Sequence, residues 1–316
     1  MKVSSMNKKP NKVVIVGGGT MGADVAVVLA RGGFRTQIIE KNQARAEQLQ
    51  PYTRQLMQEQ GFSHRAELIS VDCALEQVDW PNVHLVIECL PEKLEIKQEL
   101  FKVLDQCCTE DTILASNSSS FPISQIAKDL TTQGRMIGLH FFMPAHLIPC
   151  VEVVCGEKTE MLIAENLINL MESCGMVPVL VKKDLPGFLA NRLQHALSRE
   201  AFSLIDQGIA SPEDIDKAVR FGFGFRYLAA GPVMQRDHAG IEIHSAAGAS
   251  IYPSLNNAST IAKSLSTKVE QGELGMKTGK GFFEWTPQKI SLERSRYDNL
   301  LKEGLKLIKQ ELPEIK

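Results

Sequence analysis

Along the first half of the chain, short apolar runs rich in Val and Ile alternate with longer segments whose apolar residues recur every three or four positions. The runs 12–17 (KVVIVG), 36–40, 84–90, 112–117 and 136–142 have the length and β-branched content of strands, while 21–31, 43–60, 92–104 and 123–130 have helical periodicity. A run at 151–155, a helical segment at 160–174 and a run at 177–181 continue the pattern. Such alternation predicts βαβ units, and strands this continuously apolar predict a mostly parallel sheet covered on both faces. After 182–188 (KKDLPGF) the strand-like runs stop. Pro186 stands ahead of a long helical pattern. Its stripe of Leu189, Leu193, Ala196, Leu197, Ala201 and Leu204 is expected to face a core, with Asn191, His195 and Ser198 on the opposite edge. A second helix is expected with Ser211 as N-cap, Pro212 in its first position and Asp214 in its third. Tyr297, Leu301, Leu305, Ile308 and Leu312 form a last amphipathic segment. The expected fold is α/β: a doubly wound, Rossmann-type, mostly parallel sheet over 1–184, then a smaller all-helical domain over 185–316.

Composition narrows the function classes. The 316 residues carry 35 Lys+Arg against 37 Asp+Glu, a net charge of −2 with no basic tract, so the electrostatic footprint of a nucleic-acid binder is missing. The longest apolar stretch, 13–30, is broken by a glycine triplet and by Asp24, and no signal-like segment precedes it; no membrane partner is expected. Seven cysteines, an odd number without a CxxC pair, predict a reduced, cytoplasmic setting. The histidines show no zinc-ligand spacing, and no metal is expected.

Residues 17–22 read GGGTMG, directly after a strand and before a helix. In that context Gly17 allows a tight turn, Gly19 lets a pyrophosphate approach the backbone, Gly22 permits close helix–strand packing, and Thr20 and Met21 open the helix whose N-terminus faces the anion. Glu40, 18 residues after Gly22, ends the next strand, where a carboxylate accepts hydrogen bonds from an adenosine ribose and repels a 2′-phosphate. NAD is the expected cofactor, with Lys41 tempering the preference over NADP. A glycine-rich turn of another doubly wound fold would match the hexapeptide alone.

The segments 84–101 (HLVIECLPEKLEIKQELF), 115–120 (ASNSSS), 138–154 (GLHFFMPAHLIPCVEVV), 184–194 (DLPGFLANRLQ) and 275–285 (GMKTGKGFFEW) occur in the order of the L-3-hydroxyacyl-CoA dehydrogenase family, which the chain resembles over nearly its whole length. The resemblance implies that His140 and Glu152 form a catalytic pair. Physically, alcohol oxidation needs a base for the hydroxyl proton, and histidine is poised near neutral pH. His140 ends a strand at the carboxyl edge of the expected sheet, and Glu152, twelve residues on, could fix its tautomer. By the same match Ser119 and Asn191 contact the reacting oxygen, Glu92 and Lys97 lie near the nicotinamide ribose, and Asn117 lies beside the nicotinamide. On their own residues, Ser119 is a polar turn, Asn191 an exposed helix position, and Glu92 and Lys97 surface charges.

Two departures bear on the substrate. Met143 stands where the family motif HFFNP has asparagine, and the lysine-rich helical extension that holds the CoA nucleotide is largely absent between Glu40 and His84. Other stretches, among them ECLPEKLEIK and GFGFRYLAAGP, are closer to the branch containing lambda-crystallin/L-gulonate 3-dehydrogenase and carnitine dehydrogenase. Arg226 matches an arginine of that branch and could bind a free carboxylate bidentately, with Arg236 as a second candidate; an interface or helix-end ion pair is the alternative. The resemblance thus implies an NAD-dependent oxidation of an L-3-hydroxyl, on a 3-hydroxyacyl-CoA or a free 3-hydroxy acid, by a homodimer. The rival of another class is a crystallin-like NAD-binding structural protein.

Overall fold

The computed structural model describes residues 12–316. They form two compact units, one comprising residues up to Asn191 together with Gln310–Lys316, the other Arg192–Lys309.

The first unit is built on β1 (Lys12–Val16), α1 (Thr20–Arg31), β2 (Arg35–Ile39), α2 (Gln43–Glu59), β3 (Ile69–Asp72), β4 (Leu85–Glu88), α3 (Leu94–Cys107), β5 (Ile113–Ser116), α4 (Ile123–Ile126), β6 (Met136–Phe141), β7 (Cys150–Cys155), α5 (Met161–Ser173) and β8 (Val177–Val181). The eight strands lie in the order 3-2-1-4-5-6-7-8, all pairs parallel except β6 with β7. The chain therefore reverses direction beside β1, and the carboxyl ends of β1 and β4 open the crevice in which doubly wound sheets bind ligands. The apolar residues of β1, β4 and β6 are fully buried, as a sheet covered on both faces requires. α1 is buried from Gly22 to Arg31. Even its two charged residues are enclosed: Asp24 accepts from Tyr52 Oη at 3.0 Å and from the Ala145 amide at 3.1 Å, and Arg31 donates to the Cys174 carbonyl and to Gln60 Oε1, each at 3.0 Å.

Several boundaries differ from expectation. The edge strand β3 has no counterpart among the expected runs; its four residues are too few to stand out, and their pairing with β2 completes them. α4 stops at Ile126 rather than near 130, and Asp129 close behind it takes φ +65°, outside the helical region. The helix expected from Pro186 begins at Ala190, because Gly187 and Phe188 adopt φ +76° and +48°. The first compact unit runs through Asn191, and the C-terminus returns to it. There the Lys316 amide donates to the Ser173 carbonyl, and Ile315 fills the space a side chain would need at Gly175.

The second unit is mostly helical: most of α6 (Ala190–Asp206), then α7 (Pro212–Lys217), α8 (Met234–Ala239), α9 (Ile241–Ile251), α10 (Lys263–Glu270) and α11 (Pro287–Leu307), with antiparallel bridges of Lys280 to Gly275 and Glu284 between the last two. Ser211 caps α7 as expected, its hydroxyl accepting from the Asp214 amide at 3.1 Å, and the Asp206 carboxylate caps α10. Leu312 lies beyond α11 and belongs to the first unit. The stripe on α6 does not face a core: Leu193 is 59 % exposed, and Leu189 and Leu197 are exposed as well. Every fully buried apolar side chain among the described residues lies at or before Phe188. Among the same residues no helix is long and apolar enough to cross a membrane.

Candidate active site

The glycine turn follows β1. Gly17 has φ +108°, and a Cβ there would come within 2.6 Å of the Cys89 carbonyl oxygen. A Cβ at Gly22 would come within 1.9 Å of the Gly17 carbonyl oxygen, whereas at Gly19 it would meet nothing within 4 Å. Two glycines are therefore fixed by packing and the middle one faces open space, as a backbone that must admit a pyrophosphate requires. Thr20 and Met21 form the first turn of α1. Glu40, just after β2, accepts from the Gly18 amide at 3.0 Å and the Asn42 amide at 2.9 Å. The acid that would meet a ribose is thereby locked to the turn that would meet the phosphates. Gly18 had no sequence-level role, yet a Cβ there would strike Leu49 at 2.5 Å.

The second cluster gathers at the ends of β5, β6 and β7. β6 and β7 are antiparallel with His140 opposite Glu152, so both side chains project to the same face of the sheet. His140 Nδ1 lies 2.7 Å from Glu152 Oε2, and His140 Nε2 lies 3.2 Å from Ser119 Oγ. The other oxygen of Glu152 accepts from the amides of Leu189 at 3.0 Å and Ala190 at 2.7 Å, where the chain enters α6. Burial alone would raise the Glu152 pKa; the bond from His140, the two amides and the imidazole charge outweigh it and hold the carboxyl below its ordinary value. The imidazole is enclosed by Phe142 and Phe188, with ring centroids at 4.7 and 5.6 Å. These two aromatics carry no signal in sequence that separates them from core residues.

Asn191 Nδ2 donates to the Ser119 carbonyl at 3.4 Å, and Asn117 Oδ1 accepts from the Phe141 amide at 2.8 Å, bracing the strand end beside His140. Lys97 is not a surface charge. It is 1 % exposed, with its ammonium 2.7 and 2.9 Å from the two oxygens of Glu88 and 3.1 Å from Glu92. Glu88 is wholly buried and also accepts from the Leu90 amide and the Ser116 hydroxyl, each at 2.6 Å. No motif marks Glu88, although an acid closing an apolar strand (HLVIE) is a signal in itself, since a buried carboxylate needs partners. Met143, next to this cluster in sequence, is 66 % exposed. Arg226 is exposed in the second unit, and Arg236 there has its guanidinium 2.7 Å from His244 Nδ1.

A buried imidazole with a carboxylate on one nitrogen and a hydroxyl on the other, on the same sheet as a dinucleotide turn, can move a proton during hydride transfer. Residues 12–185 match the NAD-binding domain of the 3-hydroxyacyl-CoA dehydrogenases, and residues 187–285 match their C-terminal domain. The chain belongs to the 3-hydroxyacyl-CoA dehydrogenase family. It is accordingly an oxidoreductase with NAD as cofactor, and the glycine turn with Glu40 fits that cofactor. Among relatives in the family, it is 32 % identical to the 5-formyl-3-hydroxy-2-methylpyridine 4-carboxylate 5-dehydrogenase of Mesorhizobium japonicum, over 90 % of this chain and 94 % of that one. It is 31 % identical to the 3-hydroxybutyryl-CoA dehydrogenase of Clostridioides difficile, over 87 % and 99 %. A solved structure of a 5-formyl-3-hydroxy-2-methylpyridine 4-carboxylic acid 5-dehydrogenase, described as an NAD+-dependent dismutase, superposes with a TM-score of 0.89 at 30 % identity, covering 95 % of this chain and 98 % of that one.

Proposed function

We propose that this family member oxidises an L-3-hydroxyl, on a 3-hydroxyacyl-CoA or a free 3-hydroxy acid, to the 3-oxo product with His140 as general base. The observation that carries the reading is the continuous contact from Glu152 Oε2 to His140 Nδ1 (2.7 Å) and from Nε2 to Ser119 Oγ (3.2 Å). An ionised carboxylate only accepts, so Glu152 keeps the proton on Nδ1 and leaves the Nε2 lone pair toward Ser119. Bound NAD supplies the hydride acceptor. Nε2 takes the hydroxyl proton as the carbon gives up hydride, and in reverse returns it. Glu152 then faces an imidazolium, while the α6 amides keep its own charge in place. Ser119 Oγ and Asn191 Nδ2 are the donors for charge developing on the substrate oxygen. His140→Gln is expected to abolish NADH production while leaving NADH binding unchanged; retained turnover removes this reading, and a wild-type chain that binds NADH but turns nothing over points to a structural protein.

A second reading narrows the substrate to a free acid. No lysine occurs between Lys41 and Lys93, the stretch from which acyl-CoA enzymes of the family hold the CoA nucleotide, and a thioether replaces an amide at Met143. The similarity to a pyridine carboxylate dehydrogenase points the same way, toward a substrate that keeps a free carboxylate. Arg226 is the proposed carboxylate partner. Free 3-oxo acids should then outpace acetoacetyl-CoA in NADH oxidation, and Arg226→Ala should damage only the former; a preference for acetoacetyl-CoA with Arg226 dispensable refutes it. The uncovered apolar residues of the second unit, Leu193, Phe221 and Ile241 among them, support assembly with a second copy of the chain, which light scattering would test.

A further inference from the structure

Ser119 sits in an exposed turn between β5 and α4, a poor place from which to offer a hydroxyl at a fixed point. Its geometry is nevertheless tightly determined. One oxygen of Glu92, Oε1, accepts from the Ser118 hydroxyl at 2.6 Å, the Ser119 amide at 3.0 Å, the Ser120 amide at 2.9 Å and the Ser120 hydroxyl at 2.8 Å. Successive amides pointing inward make an anion-binding concavity, and here the chain's own carboxylate fills it. The second oxygen of Glu92 lies 3.1 Å from Lys97 Nζ, which Glu88 holds from the other side. Glu88 also reaches the same turn at its entry: its Oε2 accepts from the Ser116 hydroxyl, and Ser116 Oγ accepts from the Ser118 amide at 3.2 Å. Burial pushes the Glu92 carboxyl up, but the Ser118 hydroxyl, the Lys97 charge and the Ser120 donors together bring it to about 2, so it is ionised whenever the enzyme works.

We propose that Glu92 is a positioning residue that fixes the Ser119 hydroxyl against His140 by clamping the 118–120 turn, with the enclosed Lys97–Glu88 pair anchoring Glu92 in turn. The proposal rests on the reading of Ser119 as a donor to the reacting oxygen. It differs from a direct cofactor role for Glu92 and Lys97: Lys97 has almost no surface to offer a ligand, and Oε1 of Glu92 is committed to the turn.

The two roles separate in a double-mutant cycle with Ser119→Ala. Misplacing a catalytic group by about 1 Å costs roughly 10²-fold, so Glu92→Ala is expected to lower kcat at saturating NAD by about 10- to 100-fold. The Kd for NADH should change by less than about 3-fold, since a lost cofactor contact would appear there instead. In the Ser119→Ala background, where the donor is already gone, Glu92→Ala should change kcat by less than about 3-fold. If Ser119→Ala by itself leaves kcat intact, the reading of Ser119 falls and takes the inference with it. If Ser119→Ala is damaging but Glu92→Ala costs the same factor in both backgrounds, or acts only on the Kd for NADH, the inference alone is overturned. Should Glu92→Ala fail to fold, Glu92→Gln, which keeps one acceptor oxygen for the amides, is run through the same cycle. A loss of kcat in Glu92→Gln that vanishes in the Ser119→Ala background supports the clamp, and the same loss in both backgrounds refutes it.

Discussion

Replacing Glu152 by glutamine preserves shape and removes one acceptor, and the structure allows the cost to be worked out. The carboxylate serves two sites at once: Oε1 takes the Leu189 and Ala190 amides, and Oε2 takes His140 Nδ1. Glutamine has one oxygen for these two duties. If the oxygen faces the two amides, its NH2 group donates to Nδ1 and forces the proton onto Nε2, the nitrogen that must be empty to accept the substrate proton. In a serine protease triad the equivalent tautomer error lowers kcat about 10⁴-fold, roughly 5.4 kcal/mol at 1.36 kcal/mol per tenfold. If the side chain flips instead, the tautomer survives but two amide donors face an NH2 group, at about 1–3 kcal/mol each. The flipped form is then populated about 1 part in 30 to 1 part in 10⁴, and turnover through it is reduced accordingly. Either way kcat should fall by about 30- to 10⁴-fold. The assay is NADH formation at saturating NAD, with NADH binding by fluorescence quenching as the control for an intact cofactor site. A loss of less than tenfold in a folded, NADH-binding variant would refute the assignment of Glu152 as the residue that sets the His140 tautomer.

Three further outcomes follow from the same geometry. Lys97→Met leaves the fully buried Glu88 with only the Leu90 amide and Ser116 hydroxyl as partners, and should cost about 3 kcal/mol in urea unfolding, toward the lower end for a broken buried pair; adding Glu88→Gln should recover part of that loss. Gly22→Ala puts a methyl group 1.9 Å from the Gly17 carbonyl oxygen, so the turn must open, and the Kd for NADH should rise about tenfold or more by isothermal titration. Because the Glu92 pKa falls from 4.5 to about 2 on folding, its contribution to stability is fully present above pH 4.5 and is lost as pH falls toward 2. The urea midpoints of wild type and Glu92→Gln should differ by a constant amount above about pH 5 and converge below it; a gap that widens in acid would show the sign to be wrong.

Much of the fold is legible in the chain itself, because local patterns carry it. Apolar β-branched runs alternating with 3.6-residue periodicity identify every strand of the sheet but β3, and the glycine hexapeptide between β1 and α1 marks the cofactor turn. What failed was set by contacts distant in sequence. β3 becomes a strand only through β2, α6 starts late because Gly187 and Phe188 turn the backbone so that its first amides reach Glu152, and the last residues rejoin the first unit by packing on Gly175. The apolar stripe on α6 is real as a pattern, yet periodicity says only that a face is apolar and not what covers it.

The same division holds at the site. The sequence by itself determined which chemical groups are available and, through motif order, that the chain is a dehydrogenase of this family. It could not determine how those groups are used. Only the antiparallel register of β6 and β7 sets His140 opposite Glu152, and only the crossing of β4, α3 and the 118–120 turn encloses Lys97 between two carboxylates. Those relations depend on distance, and residues far apart in the chain, from Glu88 to Ala190, acquire one only when the sheet brings their ends to a common edge.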